Sequence, residues 1–278
     1  MDTLIEVAEL AALIERNAVV IFDCRFALTD PAAGRTAYHI AHIPGAHFVD
    51  MNRDLSTPHV PGKTGRHPLP SKTDWIARVH AWGLQPDMQV ALYDDNGGAS
   101  AARMWWMLQW IGHSNAAVLN GGLQAWTAAG MPLTADIPAS PQPSSFDYAA
   151  LRSPASLVTA SQIDGRSQLL LDARDAPRFR GEVEPIDPVA GHIPGAVCSP
   201  FSANLDANGK FKTAGELREK FAGADRFDRP TVCYCGSGIT ACHNVLALRV
   251  AGMPMPALYA GSWSDWITNP ARPVAKGA

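Results

Sequence analysis

Short apolar runs and longer amphipathic stretches alternate along the chain. Residues 19–22, 89–93 and 117–119 are short apolar runs, several with β-branched side chains, and residues 169–171, 231–234 and 257–259 are short apolar runs as well. Each predicts a strand. None alternates apolar with polar, which suits strands covered on both faces. Stretches 4–16, 71–82, 100–111, 214–221 and 240–251 carry apolar residues near helical spacing and predict helices. Strands that alternate with helices predict an α/β protein whose mostly parallel sheets are flanked by helices.

The pattern occurs twice. Ala41-His42-Ile43-Pro44-Gly45-Ala46 recurs as Gly191-His192-Ile193-Pro194-Gly195-Ala196, an offset of 150. Upstream, Val20-Ile21-Phe22-Asp23-Cys24-Arg25 recurs as Leu169-Leu170-Leu171-Asp172-Ala173-Arg174, an offset of 149, and downstream Gly121 and Trp126 recur as Gly261 and Trp266, an offset of 140. Two copies imply a duplicated domain rather than a solenoid. The first copy therefore holds about ten extra residues, best placed in the Pro-, Gly- and His-rich stretch 52–70, a long loop of the kind that often carries function. The expected domains are 1–134 and 155–278. Residues 135–154, with Pro138, Pro141, Pro143 and Pro154, have the composition of an exposed, stiff linker.

The 278 residues are 47% hydrophobic and 18% charged, with a net charge of −3. No basic block marks a nucleic-acid partner, and no run of about 18 apolar residues marks a membrane span. The five cysteines, an odd number, and the acidic N-terminal residues favour a reducing, cytoplasmic setting with free thiols. No CxxC occurs, and Cys233-Tyr234-Cys235 has the wrong spacing for a zinc site, so no metal is expected.

The chemistry concentrates at Cys235-Gly236-Ser237-Gly238-Ile239-Thr240, which runs from a predicted strand through a tight loop into a predicted helix. The carboxyl edge of such a sheet is where sites are built. Gly236 and Gly238 let the backbone curl so that N–H groups converge, and the helix adds its positive end. Both favour a thiolate at Cys235 and would cradle a persulfide. Cys24, Cys198, Cys233 and Cys242 lack this context and read as small apolar residues, with Cys233 pointing into the core and Cys242 about two turns into the helix. The tryptophan run Trp105-Trp106, with Trp110, reads as packing.

These motifs together resemble the tandem rhodanese-domain sulfurtransferases, the family of thiosulfate and 3-mercaptopyruvate sulfurtransferases. The Asp-x-Arg after each first strand, the His-Ile-Pro-Gly-Ala repeats, the cysteine loop and Gly261-Ser262-Trp263 all match. The resemblance implies a catalytic second domain and an inactive first one, where Asp95, or Asp94, stands at the position of Cys235. It implies Cys235 as nucleophile, with no metal or organic cofactor, and Gly236, Gly238, Ile239, Thr240 and Arg178 as substrate-binding residues. Ser237, His67 and Asp50 match the serine, histidine and aspartate of a proton relay in the mercaptopyruvate enzymes. His67 falls in the extra loop of the first copy, which would put the site at a domain interface. The neutral Gly-Ser-Gly loop resembles the mercaptopyruvate form more than the dicationic thiosulfate form. A second substrate arginine of the family falls on Ile186, so that cation is missing. The expected acceptors are cyanide, small thiols or thioredoxin.

Other readings are weaker. A thiosulfate:cyanide sulfurtransferase is the near alternative. A phosphatase of this fold needs an arginine six residues after its cysteine, where this chain has Ala241. A non-catalytic sulfur-binding module would not need an intact loop beside a degenerate one, and the loop is no Gly-x-Ser-x-Gly nucleophile elbow. Asp172, Arg174 and His192 have twins, Asp23, Arg25 and His42, in the copy without a nucleophile, which favours a structural role for all six.

Overall fold

The computed structural model describes residues 3–222 and 229–278. The chain forms two compact units. One contains the residues up to Thr57, Leu69–Pro154 and Ala207–Phe211, and the other contains Pro58–Pro68, Ala155–Asp206 and Lys212–Ala278. Pro58–Pro68, the middle of the Pro-, Gly- and His-rich stretch of the first copy, is therefore folded into the unit that carries Cys235.

In the first unit, β1 (Leu4–Ile5), β2 (Val20–Asp23), β3 (Ala46–Phe48), β4 (Val90–Tyr93) and β5 (Ala116–Leu119) form a sheet of order β1-β5-β4-β2-β3 with every pair parallel. Its helices are α1 (Val7–Glu15), α2 (Ala33–Ile40), α3 (Lys72–Ala81), α4 (Ala101–Trp110) and α5 (Gly122–Ala128). The central strands β4 and β5 are buried throughout and β2 in all but Val20, as their unbroken apolar runs demand. Leu4 and Ile5 begin no helix. They pair with Val118 and Leu119 as an edge strand, and the helix starts only at Val7. Ile5, Leu10, Leu13, Tyr93 and Trp126 fill one side of the sheet. Trp105 and Trp106 are buried in α4, as packing requires.

Residues 135–154 do not hang free but lie along this unit. The Ser144 N–H donates to the His80 carbonyl at 2.9 Å, and its hydroxyl donates to the Leu84 carbonyl at 2.6 Å. Tyr148 is fully buried, its hydroxyl 3.2 Å from Nδ1 of His113.

The second unit repeats the plan. β6 (Ser156–Leu157), β7 (Leu169–Asp172), β8 (Ala196–Cys198), β9 (Thr231–Tyr234) and β10 (Ala257–Leu258) take the order β6-β10-β9-β7-β8, again parallel. The helices are α6 (Ala176–Arg180), α7 (Ala214–Ala222), α8 (Thr240–Val250) and α9 (Ser262–Trp266). Leu170, Ile193, Tyr234, Tyr259, Trp263 and Trp266 build the core on one side.

The duplicated polar residues keep one geometry in both copies. Arg25 forks onto Asp23, with a shortest contact of 2.6 Å, and donates to the Ala41 carbonyl at 2.8 Å. Arg174 forks onto Asp172, also at 2.6 Å, and donates to the Gly191 carbonyl at 2.7 Å. His42 and His192 place Nδ1 2.7 and 2.8 Å from the Tyr38 and Phe179 carbonyls. These pairs tie the end of the first long strand to the His-Ile-Pro-Gly-Ala turn. Removing one member would leave a buried charge unpaired, at a cost of about 3–5 kcal/mol. Their recurrence in both copies makes them a scaffold device.

Candidate active site

Strand register aligns the two cysteine-loop positions. Asp23 pairs with Tyr93 across β2 and β4, and Asp172 pairs with Tyr234 across β7 and β9. The residue after each tyrosine is therefore equivalent, and Asp94, rather than Asp95, is the counterpart of Cys235. In the first unit the loop is a filled cradle. Asp94 accepts the N–H groups of Asn96 and Gly98 on Oδ1, at 2.9 and 2.8 Å, and those of Ser100 and Ala101 on Oδ2, at 2.8 and 2.9 Å. Burial pushes its carboxyl above the usual range despite these four donors. The strand–loop–helix turn thus gathers N–H groups around an anion, as sequence reasoning expects, and here the anion is the chain's own side chain.

In the second unit a thiol takes that place. Cys235 is 2% exposed. The Gly238 N–H points at its Sγ from 3.1 Å, with Gly238 at φ +84°. A Cβ on Gly238 would strike the Ala260 carbonyl oxygen at 2.2 Å, so only glycine fits. The backbone N–H of Cys235 donates to Oγ of Ser262 at 3.1 Å, and that hydroxyl donates to the Tyr259 carbonyl at 3.0 Å. Ser262 itself sits at φ +56°, a left-handed conformation that costs a serine about 1 kcal/mol. It is held there by α9, whose Trp263 and Ser264 N–H groups donate to the Cys235 and Gly236 carbonyls, each at 2.9 Å. Gly261-Ser262-Trp263 is therefore the platform under the nucleophile loop, a role its motif match alone did not reveal.

The remaining predicted residues fall as follows. Ser237 is buried, its Oγ 2.9 Å from Nδ1 of buried His67. Ile239 is buried, and Thr240 opens α8. Asp50 belongs to the first unit, where its Oδ1 accepts the Asn52 and Arg53 N–H groups at 3.0 and 3.1 Å and its Oδ2 lies 3.3 Å from Arg35. Arg178 donates to Glu184 at 2.7 Å and to Asp187 at 3.2 Å. Arg66, the neighbour of His67, pairs with the other oxygen of Asp187. Burial, with Glu184 nearby, pushes the Asp187 carboxyl up against the pull of Arg66 and Arg178. Ile186 is 40% exposed, and its backbone N–H serves Glu184 at 3.2 Å. Arg66 escaped the sequence reading because its ion-pair partner lies 121 residues away; its adjacency to His67 was the available signal.

The other cysteines are placed for packing. Cys24 and Cys233 are fully buried and Cys198 is partly so, and burial pushes all three thiols up, away from reactivity. Cys242 lies in the first turn of α8, not two turns in, because the helix begins at Thr240; its thiol donates to the Gly238 carbonyl at 3.3 Å. Among the described residues no group of three or more His, Cys, Asp or Glu side chains could hold a metal ion. None of their helices is long and apolar enough to cross a membrane.

A twice-built parallel α/β domain, with a buried cysteine on the loop after a central strand of its second copy, defines a class: the chain belongs to the rhodanese family and is a sulfurtransferase. The rhodanese-like domain profile matches residues 6–129 and 155–269. A Pseudomonas aeruginosa protein named "Probable 3-mercaptopyruvate sulfurtransferase" is 51% identical over 282 residues, covering 99% of this chain and 98% of that one. Bovine thiosulfate sulfurtransferase is 36% identical over 245 residues, covering 84% and 79%. The solved structure of 3-mercaptopyruvate sulfurtransferase from Leishmania major superimposes with a TM-score of 0.82 at 33% identity, over 95% of this chain and 73% of that one.

Proposed function

We propose that the chain takes sulfur from 3-mercaptopyruvate through a persulfide on Cys235. The observation that carries this reading is the 2.9 Å contact between Ser237 and His67 on the loop that holds the nucleophile. The Cys235 thiolate attacks the donor sulfur, forming an S–S bond as the donor C–S bond breaks. The electron pair passes to carbon as pyruvate enolate, and the proton of the donor thiol ends on that carbon to give pyruvate. Ser237 and His67, in contact with each other, are the proposed route for this proton, a task worth about 10²–10⁴ in rate for a positioned acid–base group. Asp50, matched to the family's aspartate by its place after Ile43-Pro44-Gly45-Ala46, is the proposed third member of the relay. Gly236, Gly238, Ile239 and Thr240 shape the donor pocket, and Arg178 binds the donor carboxylate. An acceptor thiolate or cyanide then attacks the outer sulfur of the persulfide and regenerates the Cys235 thiolate. The first domain, with Asp94 filling its own cradle, is non-catalytic. Thioredoxin or a small thiol in the cytoplasm is the proposed acceptor.

Thiosulfate is the second reading, favoured by the two guanidinium groups beside the loop. The charges of Glu184 and Asp187 balance Arg66 and Arg178, however, so a dianion gains little net attraction, whereas the directional forks still suit a carboxylate. Steady-state turnover with each donor, cyanide being the acceptor, decides the point. We expect kcat/KM for 3-mercaptopyruvate to exceed that for thiosulfate by at least about tenfold; the reverse order refutes the donor assignment. Cys235→Ser is expected to abolish transfer from either donor while leaving thermal unfolding cooperative.

A further inference from the structure

His67 comes to Ser237 from 170 residues away, and the segment that carries it is open to solvent over residues 58–63. The turn at its tip is closed on itself. The Lys63 and Thr64 N–H groups donate to the Val60 carbonyl, each at 3.0 Å, and the Thr64 hydroxyl donates to the Gly65 carbonyl at 3.0 Å. Such local bonds shape a loop but do not seat it. A histidine that is to pass a proton must be held to within about 0.5 Å.

Ser264, in α9, builds the seat. Its backbone N–H donates to the Gly236 carbonyl at 2.9 Å, and its Oγ accepts the Arg66 N–H at 3.0 Å. Gly236 adjoins Ser237, Arg66 adjoins His67, and Ser237 and His67 touch at 2.9 Å. These contacts close a ring that runs from Ser264 through Gly236, Ser237, His67 and Arg66 back to Ser264. Gly65 permits the approach: a Cβ there would lie 2.6 Å from the Gly261 carbonyl oxygen and 3.2 Å from Oγ of Ser264. Ser264 is buried, which shields the bond from competing water. The first unit is built otherwise. Gly121 matches Gly261, so Gln124 matches Ser264; Gln124 is exposed, and its side chain donates to the Asp95 carbonyl at 2.6 Å. The Asp–Arg and histidine ties recur in both copies and serve the scaffold, whereas the serine belongs to the copy with the nucleophile.

We propose that Ser264 is a positioning residue for sulfur transfer, its hydroxyl clamping the segment that carries His67 to the loop that carries Cys235 and Ser237. This rests on the proton relay proposed for 3-mercaptopyruvate.

The test uses the full chain with Ser264→Ala, which keeps the backbone bond to Gly236 and removes the acceptor for Arg66. With 3-mercaptopyruvate and cyanide, kcat is expected to fall about 10-fold or more. KM should stay within about threefold, because the Arg66 guanidinium keeps its tie to Asp187. In a His67→Asn background the same change should cost less than about twofold, since the clamp acts through His67. An unchanged kcat, or a loss that persists in full without His67, would overturn the proposal. Gly65→Ala, which unseats the segment from the other side, should reproduce the loss in kcat, and full activity in that variant would also overturn it. Hydrogen exchange requires no turnover and separates the clamp from the donor assignment. If the wild type turns over only thiosulfate, the donor reading fails, but the clamp stands if Ser264→Ala speeds exchange about 10-fold or more in peptides covering 58–68 and leaves those covering 262–266 unchanged. Unchanged exchange in 58–68, or faster exchange in both, refutes it.

Discussion

Cys235 is one of five cysteines, and its surroundings distinguish it. Three of the others are pushed toward inertness by burial, whereas Cys235 sits where the first copy gathers four N–H groups around a carboxylate. Its partners were only partly legible. Ser237 lies inside a contiguous motif, so position alone found it. His67 is 170 residues away from Ser237, and only its place in a matching motif pointed to it; the two lie 2.9 Å apart. Arg66 had no motif. His67→Asn and Ser237→Ala are each expected to lower kcat with 3-mercaptopyruvate by about 10²-fold or more, and the double variant should lose little beyond the worse single one, as the proposed relay requires. Multiplicative losses in that cycle would mean separate roles. Ile186→Arg, which restores the cation missing there, is expected to lower the KM for 3-mercaptopyruvate; an unchanged KM would mean that position 186 does not face the donor.

At the scale of elements, the central strands announced themselves as unbroken apolar runs, and four of the edge strands did not. β1, β3, β6 and β8 have only two or three residues, too few to show a period, and exist because a neighbouring strand offers its edge. The loops that follow β4 and β9 show how one turn serves two ends. In the first unit the loop stabilises itself: Asp94→Ala would orphan four N–H groups and is expected to cost about 2–4 kcal/mol in urea denaturation, with kcat unchanged. In the second unit its two glycines differ in kind. Gly238→Ala meets backbone at 2.2 Å in a left-handed conformation and should cost about 3 kcal/mol or more. Gly236→Ala meets only the flexible guanidinium ends of Arg66 and Arg178, so stability should fall by less than about 1 kcal/mol while the KM for a carboxylate donor rises.

The molecule as a whole carries two cores, and a histidine buried in the first unit sets a response to acid. His113, fully buried beside Tyr148 in the first unit, is held by burial at a pKa of about 4. In the unfolded chain it takes a proton below about pH 6.5. Between those values the unfolded state binds more protons, so stability rises with pH across the window and is lost on acidification through it. The shift corresponds to about 3 kcal/mol at most. Thermal unfolding between pH 4.5 and 7 should show this slope, and His113→Gln should flatten it; parallel curves for the two proteins would assign the acid sensitivity elsewhere. That the fold is duplicated could be read from the repeated Ile-Pro-Gly-Ala turn alone. How the chain is divided between the units could not, because Pro58–Pro68 leaves its sequence neighbours to pack with residues far downstream.

That crossing segment has a consequence for the history of the protein. Under the proposed relay the second unit depends on a histidine carried by the first half of the chain, and the halves are not separable. A copy with aspartate in place of the nucleophile would ordinarily be free to be deleted. Here deletion would take His67 and the rest of Pro58–Pro68 with it. The exchange works as a ratchet: it keeps the first half in the gene, and any shorter descendant must first rebuild that segment on the surviving half.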